Sequence, residues 1–139
     1  MNDRNININN SSPTNSSPQA NTLPSSMSGK LRCFQLNTRK SYKSLTSLEY
    51  VVKRAKNSIL FITEPNLTKH RTVRNIAGFR SIATEEPRAA IMHDNTLLCN
   101  RVDQLMHPDC AVAIIQVKSR NIIMASIYCN INIPNFNLI

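Results

Sequence analysis

Residues 57–65 read NSILFITEP, and the hexapeptide within it, SILFIT (58–63), decides the fold. Ile59, Leu60, Phe61 and Ile62 follow one another without polar alternation. A run of this length, closed by a proline, fits a β-strand covered on both faces rather than one with a wet side. It stops abruptly at Glu64-Pro65. Upstream, Leu45, Leu48, Val52 and Ala55 recur at three- to four-residue spacing, which predicts a helix capped by Ser44. That helix ends in the basic cluster Lys53, Arg54 and Lys56 before Asn57, where cations suit a helix C-terminus. Before it, LRCFQL (31–36) predicts a strand with Leu31, Cys33 and Gln35 on one face and Arg32, Phe34 and Leu36 on the other. Strand, helix and strand in this order imply a parallel pair joined by a crossover.

Downstream of a loop running through Gly78, RAAIM (88–92) reads as a third strand, with a weaker one near Thr96 to Cys99. Asp103 to Asp109 reads as loop. AVAIIQV (111–117), a polar turn at 118–121 and IIMASIY (122–128) give the strongest hairpin signal in the chain. The whole is an α/β layered arrangement. Residues 1–29 are almost entirely Asn, Ser, Pro and Thr, a composition too poor in apolar side chains to offset chain entropy, so a disordered tail is expected there and the folded part over 30–139.

The chain has 139 residues, 17 Lys and Arg against 8 Asp and Glu, and a formal charge of +9. One small domain is what this length accommodates. The excess charge is local: residues 30–80 carry twelve Lys/Arg and two acids, whereas 81–139 carry four and five. Such a block concentrates polyanions through counterion release, which points to nucleic acid; a merely solvated basic face explains the charge equally well. No apolar run reaches the roughly 18–20 residues that span a bilayer. The N-terminus lacks the basic start and apolar run of a secretory signal, and the four cysteines are scattered, so the chain reads as intracellular with reduced thiols.

Three polar residues stand where apolar strands end: Asn37, Glu64 and Tyr128. In layered α/β folds side chains from separate segments converge at strand ends. Asn37 is also an ordinary turn residue and Tyr128 an ordinary strand-end aromatic. Glu64, fixed by Pro65 directly after a buried strand, is placed like a ligand for a hard divalent cation.

These residues carry a resemblance. LRCFQLNTRKSYKSL, NSILFITEPNLTK, EPRAAIM and CAVAIIQVKSRNIIMASIYCNINIP, in that order, resemble the first half of the endonuclease domain of non-LTR retrotransposons, within the endonuclease/exonuclease/phosphatase superfamily. The similarity covers residues 31–134. It implies part of a four-layer α/β sandwich, two sheets flanked by helices, truncated at its C-terminus. It implies a Mg²⁺-dependent, DNA-nicking activity in a nuclear setting, with catalytic roles for Asn37, Glu64 and Tyr128 and the metal on Asn37 and Glu64. DNA is the expected partner, and the basic block predicts weak, sequence-independent and salt-sensitive binding through Lys40, Lys43, Lys53, Arg54, Lys69, Arg71 and Arg74; no membrane and no obligate protein partner are expected.

The departures bear on activity. His70, His93 and His107 all precede the hairpin, and Asn130 stands where many relatives carry an Asp, so general-base catalysis has no assigned residue and an inactive fragment is expected. The alternatives are a basic nucleic-acid-binding module without chemistry and a decayed mobile-element fragment. His107 and Cys110 have H-x-x-C spacing, with Cys99 and Cys129 available, but a zinc site lacks a second close pair. Cys33 and Cys110 fall in strand patterns and are expected to be buried as small apolar residues. With only Gly29 and Gly78, no glycine-rich phosphate loop exists.

Overall fold

The computed structural model describes residues 29–130; the tail expected over 1–29 lies outside them apart from Gly29, as does the end of the chain beyond 130. The elements are β1 (Arg32–Asn37), α1 (Tyr42–Val52), β2 (Ser58–Thr63), β3 (Phe79–Ile82), β4 (Ala89–Asp94), β5 (Cys99–Arg101), a short 3₁₀ turn (Asp103–Leu105), β6 (Cys110–Val117) and β7 (Arg120–Ile127). They form a mixed α/β sandwich of two sheets, in the orders β1-β2-β4-β3 and β5-β6-β7. β1 and β2 are parallel, Arg32 beside Ser58 through Asn37 beside Thr63, and every other pairing is antiparallel.

SILFIT forms β2 residue for residue, and its two faces serve different cores. Leu60 and Ile62 pack with Leu45, Leu48 and Val52 of α1 and with Val73 and Ile76 of the β2–β3 connection. Ile59 and Phe61 point the other way, into the contact between the sheets, with Ile91, Ala111, Ala113 and Ile115. This is why the sequence shows no alternation there. Ser58, also fully buried, donates its hydroxyl to the Ala55 carbonyl at 2.7 Å.

Several expectations need correction. The helix cap is Ser41, whose Oγ accepts from the Ser44 amide at 3.4 Å; Ser44 lies inside the first turn. The helix stops at Val52, so Ala55 is buried from the following loop. FRSI (79–82), to which the sequence reading assigns no element, is β3, paired with β4. The weaker strand expected near Thr96 to Cys99 is β5, which starts only at Cys99; Asn95 and Thr96 turn first, the Asp94 carboxylate accepting from both the amide and the hydroxyl of Thr96 at 2.9 Å. The hairpin turn is only Lys118-Ser119, with Lys118 at φ 54°; Arg120 and Asn121 already pair with Val117 and Gln116. Cys33 is exposed, since β1 is an edge strand, and Cys110 is half-buried. On the outer face of the second sheet Ile123 and Ile127 are 66% and 59% exposed, with no described element over them.

His93 on β4 is buried, and its Nδ1–H donates to the Asp94 carbonyl at 3.0 Å. Burial pushes its ring below the ordinary histidine value, helped by Arg80, its cross-strand neighbour, and opposed by Asp94. A depressed imidazole binds fewer protons folded than unfolded. Its contribution to stability is therefore present above about pH 6.5 and lost as pH falls through the depressed folded value. Stability measured by urea unfolding is expected to decline on acidification through this window, and His93→Gln to flatten that decline.

Candidate functional site: the edge at Asn37, Glu64 and Tyr128

The parallel register places Asn37 beside Thr63, so β1 and β2 end together. Beyond them the chain leaves through backbone that non-glycine residues rarely adopt: Arg39, Lys40 and Glu64 take φ of 48°, 57° and 48°. Such strain persists only where the surroundings enforce it. At Glu64 they do. Its amide donates to the Arg88 carbonyl at 2.7 Å, and its own carbonyl accepts from the Lys40 amide at 2.8 Å and from the hydroxyl of fully buried Thr38 at 2.5 Å. The following Pro65 is buried as well. Asn37 is held by its own turn, Oδ1 accepting from the Arg39 amide at 2.8 Å.

Tyr128 arrives from the other sheet. Its amide donates to the Asp109 carbonyl at 2.8 Å, and its phenol lies near the Glu64 carboxylate. Glu64 beside it, then burial and the negative charge of Asp109, raise the phenol above its ordinary value, against the opposing pull of Arg88. The sheets are tied at the same end by Ser126, whose buried hydroxyl donates to the Ile62 carbonyl at 3.2 Å. The structure thus brings Asn37, Glu64 and Tyr128 to one edge.

Two further residues at this edge are absent from the sequence reading. The Arg88 guanidinium lies over the Tyr128 ring, 5.5 Å from its centroid, and pairs with the Asp109 carboxylate through Nε and through Nη2, the latter at 2.5 Å from Oδ2. Because its carbonyl also receives the Glu64 amide, Arg88 fixes Glu64 and Tyr128 at once. A contact between residues 88 and 109 has no sequence periodicity to announce it. Arg88→Gln is expected to raise the Tyr128 phenol further, since the one opposing cation is removed; the absorbance titration of the tyrosines, with Tyr128→Phe subtracted, checks this.

His107 and Cys110 exchange two backbone hydrogen bonds of 2.9 Å, a tight turn in which the Asp109 amide donates to His107 Nδ1 at 3.2 Å. Among the described residues no group of three or more His, Cys, Asp and Glu side chains is arranged to hold a metal. With Asp109 taken up by Arg88, the remaining donors at the edge are oxygens, the Glu64 carboxylate and the Asn37 amide. That set suits a hard cation that keeps most of its waters, and is too small for zinc.

The basic residues separate in space. Lys40 and Lys43 sit at this edge and at the start of α1, and Arg74 is drawn to the same end by its bond to Asn66 Oδ1 at 3.0 Å, Asn66 in turn donating to the Lys40 carbonyl at 2.7 Å. Arg71 is ion-paired with Glu86, and Lys69 is exposed in the same connection. Lys53 and Arg54 lie at the opposite end of the sheet, where α1 finishes beside the starts of β1 and β2. No helix among the described residues is long and apolar enough to cross a membrane.

No family model matches the chain, and no curated protein matches it. Among solved structures the fold is similar to the endonuclease domain of TRAS1, a telomere-specific non-LTR retrotransposon, with a TM-score of 0.60 and 22% sequence identity over 73% of this chain. The match covers 45% of that domain, so the chain spans less than half its length. At this identity the likeness establishes one thing, that the two-sheet sandwich has an endonuclease-like fold.

Proposed function

We propose that the edge formed by Asn37, Glu64 and Tyr128 is the metal- and phosphate-binding part of a DNA endonuclease site of the endonuclease/exonuclease/phosphatase type. The observation that carries this reading is the convergence of Asn37 and Glu64, at the ends of β1 and β2, with Tyr128 from the other sheet, through Arg88, whose carbonyl accepts from the Glu64 amide and whose guanidinium lies over the Tyr128 ring. A Mg²⁺ ion would be held by Glu64 and Asn37, and when bound it would offset negative charge on phosphoryl oxygens. The rest falls to the protein's own groups. The Tyr128 hydroxyl has one proton to donate, and with Glu64 on the metal it would be free for a phosphate oxygen. Arg88 holds the phenol ring in place, and Lys40, Lys43 and Arg74 put positive charge beside the same edge.

Hydrolysis also needs a group that takes a proton from water. Among the described residues at this edge, Asp109 is paired with Arg88, Glu64 is assigned to the metal, and His107 Nδ1 accepts from the Asp109 amide. We therefore read the chain as the counterpart of one half of such a domain, inactive by itself, which agrees with its spanning 45% of the neighbour. In a plasmid-nicking assay with Mg²⁺ the expected result is no nicking, together with DNA binding strengthened by Mg²⁺ and no such strengthening in Glu64→Ala. Robust Mg²⁺-dependent nicking lost in Glu64→Ala would overturn the inactivity. DNA binding indifferent both to Mg²⁺ and to Glu64→Ala would favour the non-catalytic basic module, the reading to which the charge separation described above lends weight.

A further inference from the structure

The outer face of α1 is unusual for the solvent side of a helix. Tyr42 and Tyr50 are 61% and 81% exposed, with Val51 beside them at 57%. They line a groove with Lys43, Thr46 and Ser47. The two hydroxyls are turned inward, Thr46 donating to the Tyr42 carbonyl at 3.0 Å and Ser47 to the Lys43 carbonyl at 3.1 Å, so the floor presents methyl and methylene surface. Eight residues of helix separate the rings by about 12 Å along its axis.

Cations stand at both ends. Arg74 lies over the Tyr42 ring, 5.5 Å from its centroid. Beyond Tyr50, at the far end of the sheet, Lys30, Arg32, Arg54, Lys56 and Asn57 line a pocket of about 390 Å³ without a carboxylate. Glu49 and Asp94 line an adjoining pocket instead. None of these four cations is ion-paired among the described residues.

We infer that the outer face of α1 is a binding track for single-stranded nucleic acid, its bases stacking on Tyr42 and Tyr50 and its phosphates entering the pocket of Lys30, Arg32, Arg54 and Lys56. Exposed rings interleaved with cations suit unpaired bases, whose faces are open, and not a duplex, whose faces are already stacked. Single exposed aromatics need no explanation, but two on one stripe, joined by an apolar floor and bounded by unpaired cations, form a surface of matched chemistry. The pocket lies at the opposite end of β1 from Asn37, so a strand held there is distinct from one held at the proposed metal edge. The inference does not rest on the endonuclease reading.

The test is fluorescence anisotropy with labelled oligothymidine and oligouridine of about fifteen nucleotides, and with a duplex of the same length, against the full chain. Tyr50→Ala is expected to weaken binding of both single strands about five- to tenfold, the loss of one stacked base. Tyr50→Phe keeps the ring and should bind like the parent. Arg54→Gln with Lys56→Gln should reduce the slope of log affinity against log salt by about 1.4. Repeated in EDTA, single-strand binding should be unchanged, which separates this track from the metal edge. Both substituted tyrosines are exposed, and unchanged melting temperatures would confirm intact folding. Three results would overturn the proposal: parental affinity in Tyr42→Ala with Tyr50→Ala, duplex bound as tightly as single strand with the same response to Tyr50→Ala, or binding to anionic lipid vesicles that the oligonucleotides fail to displace.

Discussion

Glu64→Gln is expected to lower the apparent Mg²⁺ affinity of the DNA-bound protein by about tenfold or more, because replacing even residues that only orient a metal's ligands costs about 10- to 100-fold. The substitution is nearly isosteric, and the backbone bonds of residue 64 to Arg88, Lys40 and Thr38 are untouched, so the edge stays assembled while its charge is lost. The phenol reports the same change. With the carboxylate gone its raised value falls toward that of an ordinary tyrosine, since Glu64 is the first cause of the shift. Raised above its unfolded value, this group contributes stability below about pH 10 that is lost as pH rises through the folded value, and Glu64→Gln should blunt that alkaline loss. Glu64→Gly makes the complementary case. At φ 48° a glycine escapes the steric cost of the left-handed region, so this variant should gain about 0.5–1 kcal/mol in a thermal melt while losing Mg²⁺ as fully as Glu64→Gln. A glutamate kept at a strained position is what a functional requirement would look like.

Ile59→Ala and Leu60→Ala are each expected to cost about 2–5 kcal/mol, a large share of the roughly 5–15 kcal/mol that holds a small domain folded. These neighbours are 1% and 0% exposed, yet they fill different layers: Leu60 packs under α1, and Ile59 packs between the sheets. Their equal sensitivity is the signature of a strand covered on both sides. Ile123→Ala, on the face that no described element covers, should change stability by about 0.5 kcal/mol or less. Urea unfolding of the three variants separates the cases, and a wild-type-like Ile59→Ala would mean that the sheets are not packed through that residue.

What the sequence disclosed and what it hid follow from the range of the interactions. SILFIT and the β6–β7 hairpin were legible because each is a long apolar run whose burial is written into consecutive residues. FRSI was not, because β3 has four residues, of which only Ile82 is fully buried. Ser41 and Ser44 are equally good caps on paper, and only the backbone, extended at Ser41, chooses between them. The placement of Asn37, Glu64 and Tyr128 at strand ends was visible, but their assembly depends on Arg88 and Asp109, a pairing that exists only once the sheets have met. The basic block is continuous in sequence and divided in space, since the crossover helix carries Lys53 and Arg54 away from the end where Lys40 remains.

The most direct measurement is NMR of the protein with DNA and substoichiometric Mn²⁺, a paramagnetic stand-in for Mg²⁺ that broadens the amide signals nearest to it. If this edge holds the metal, the amides of Asn37, Glu64 and Tyr128 broaden first and Glu64→Gln abolishes the effect. Broadening centred on the His107–Cys110 turn or on Glu49 and Asp94, or broadening at the edge that survives Glu64→Gln, would contradict it.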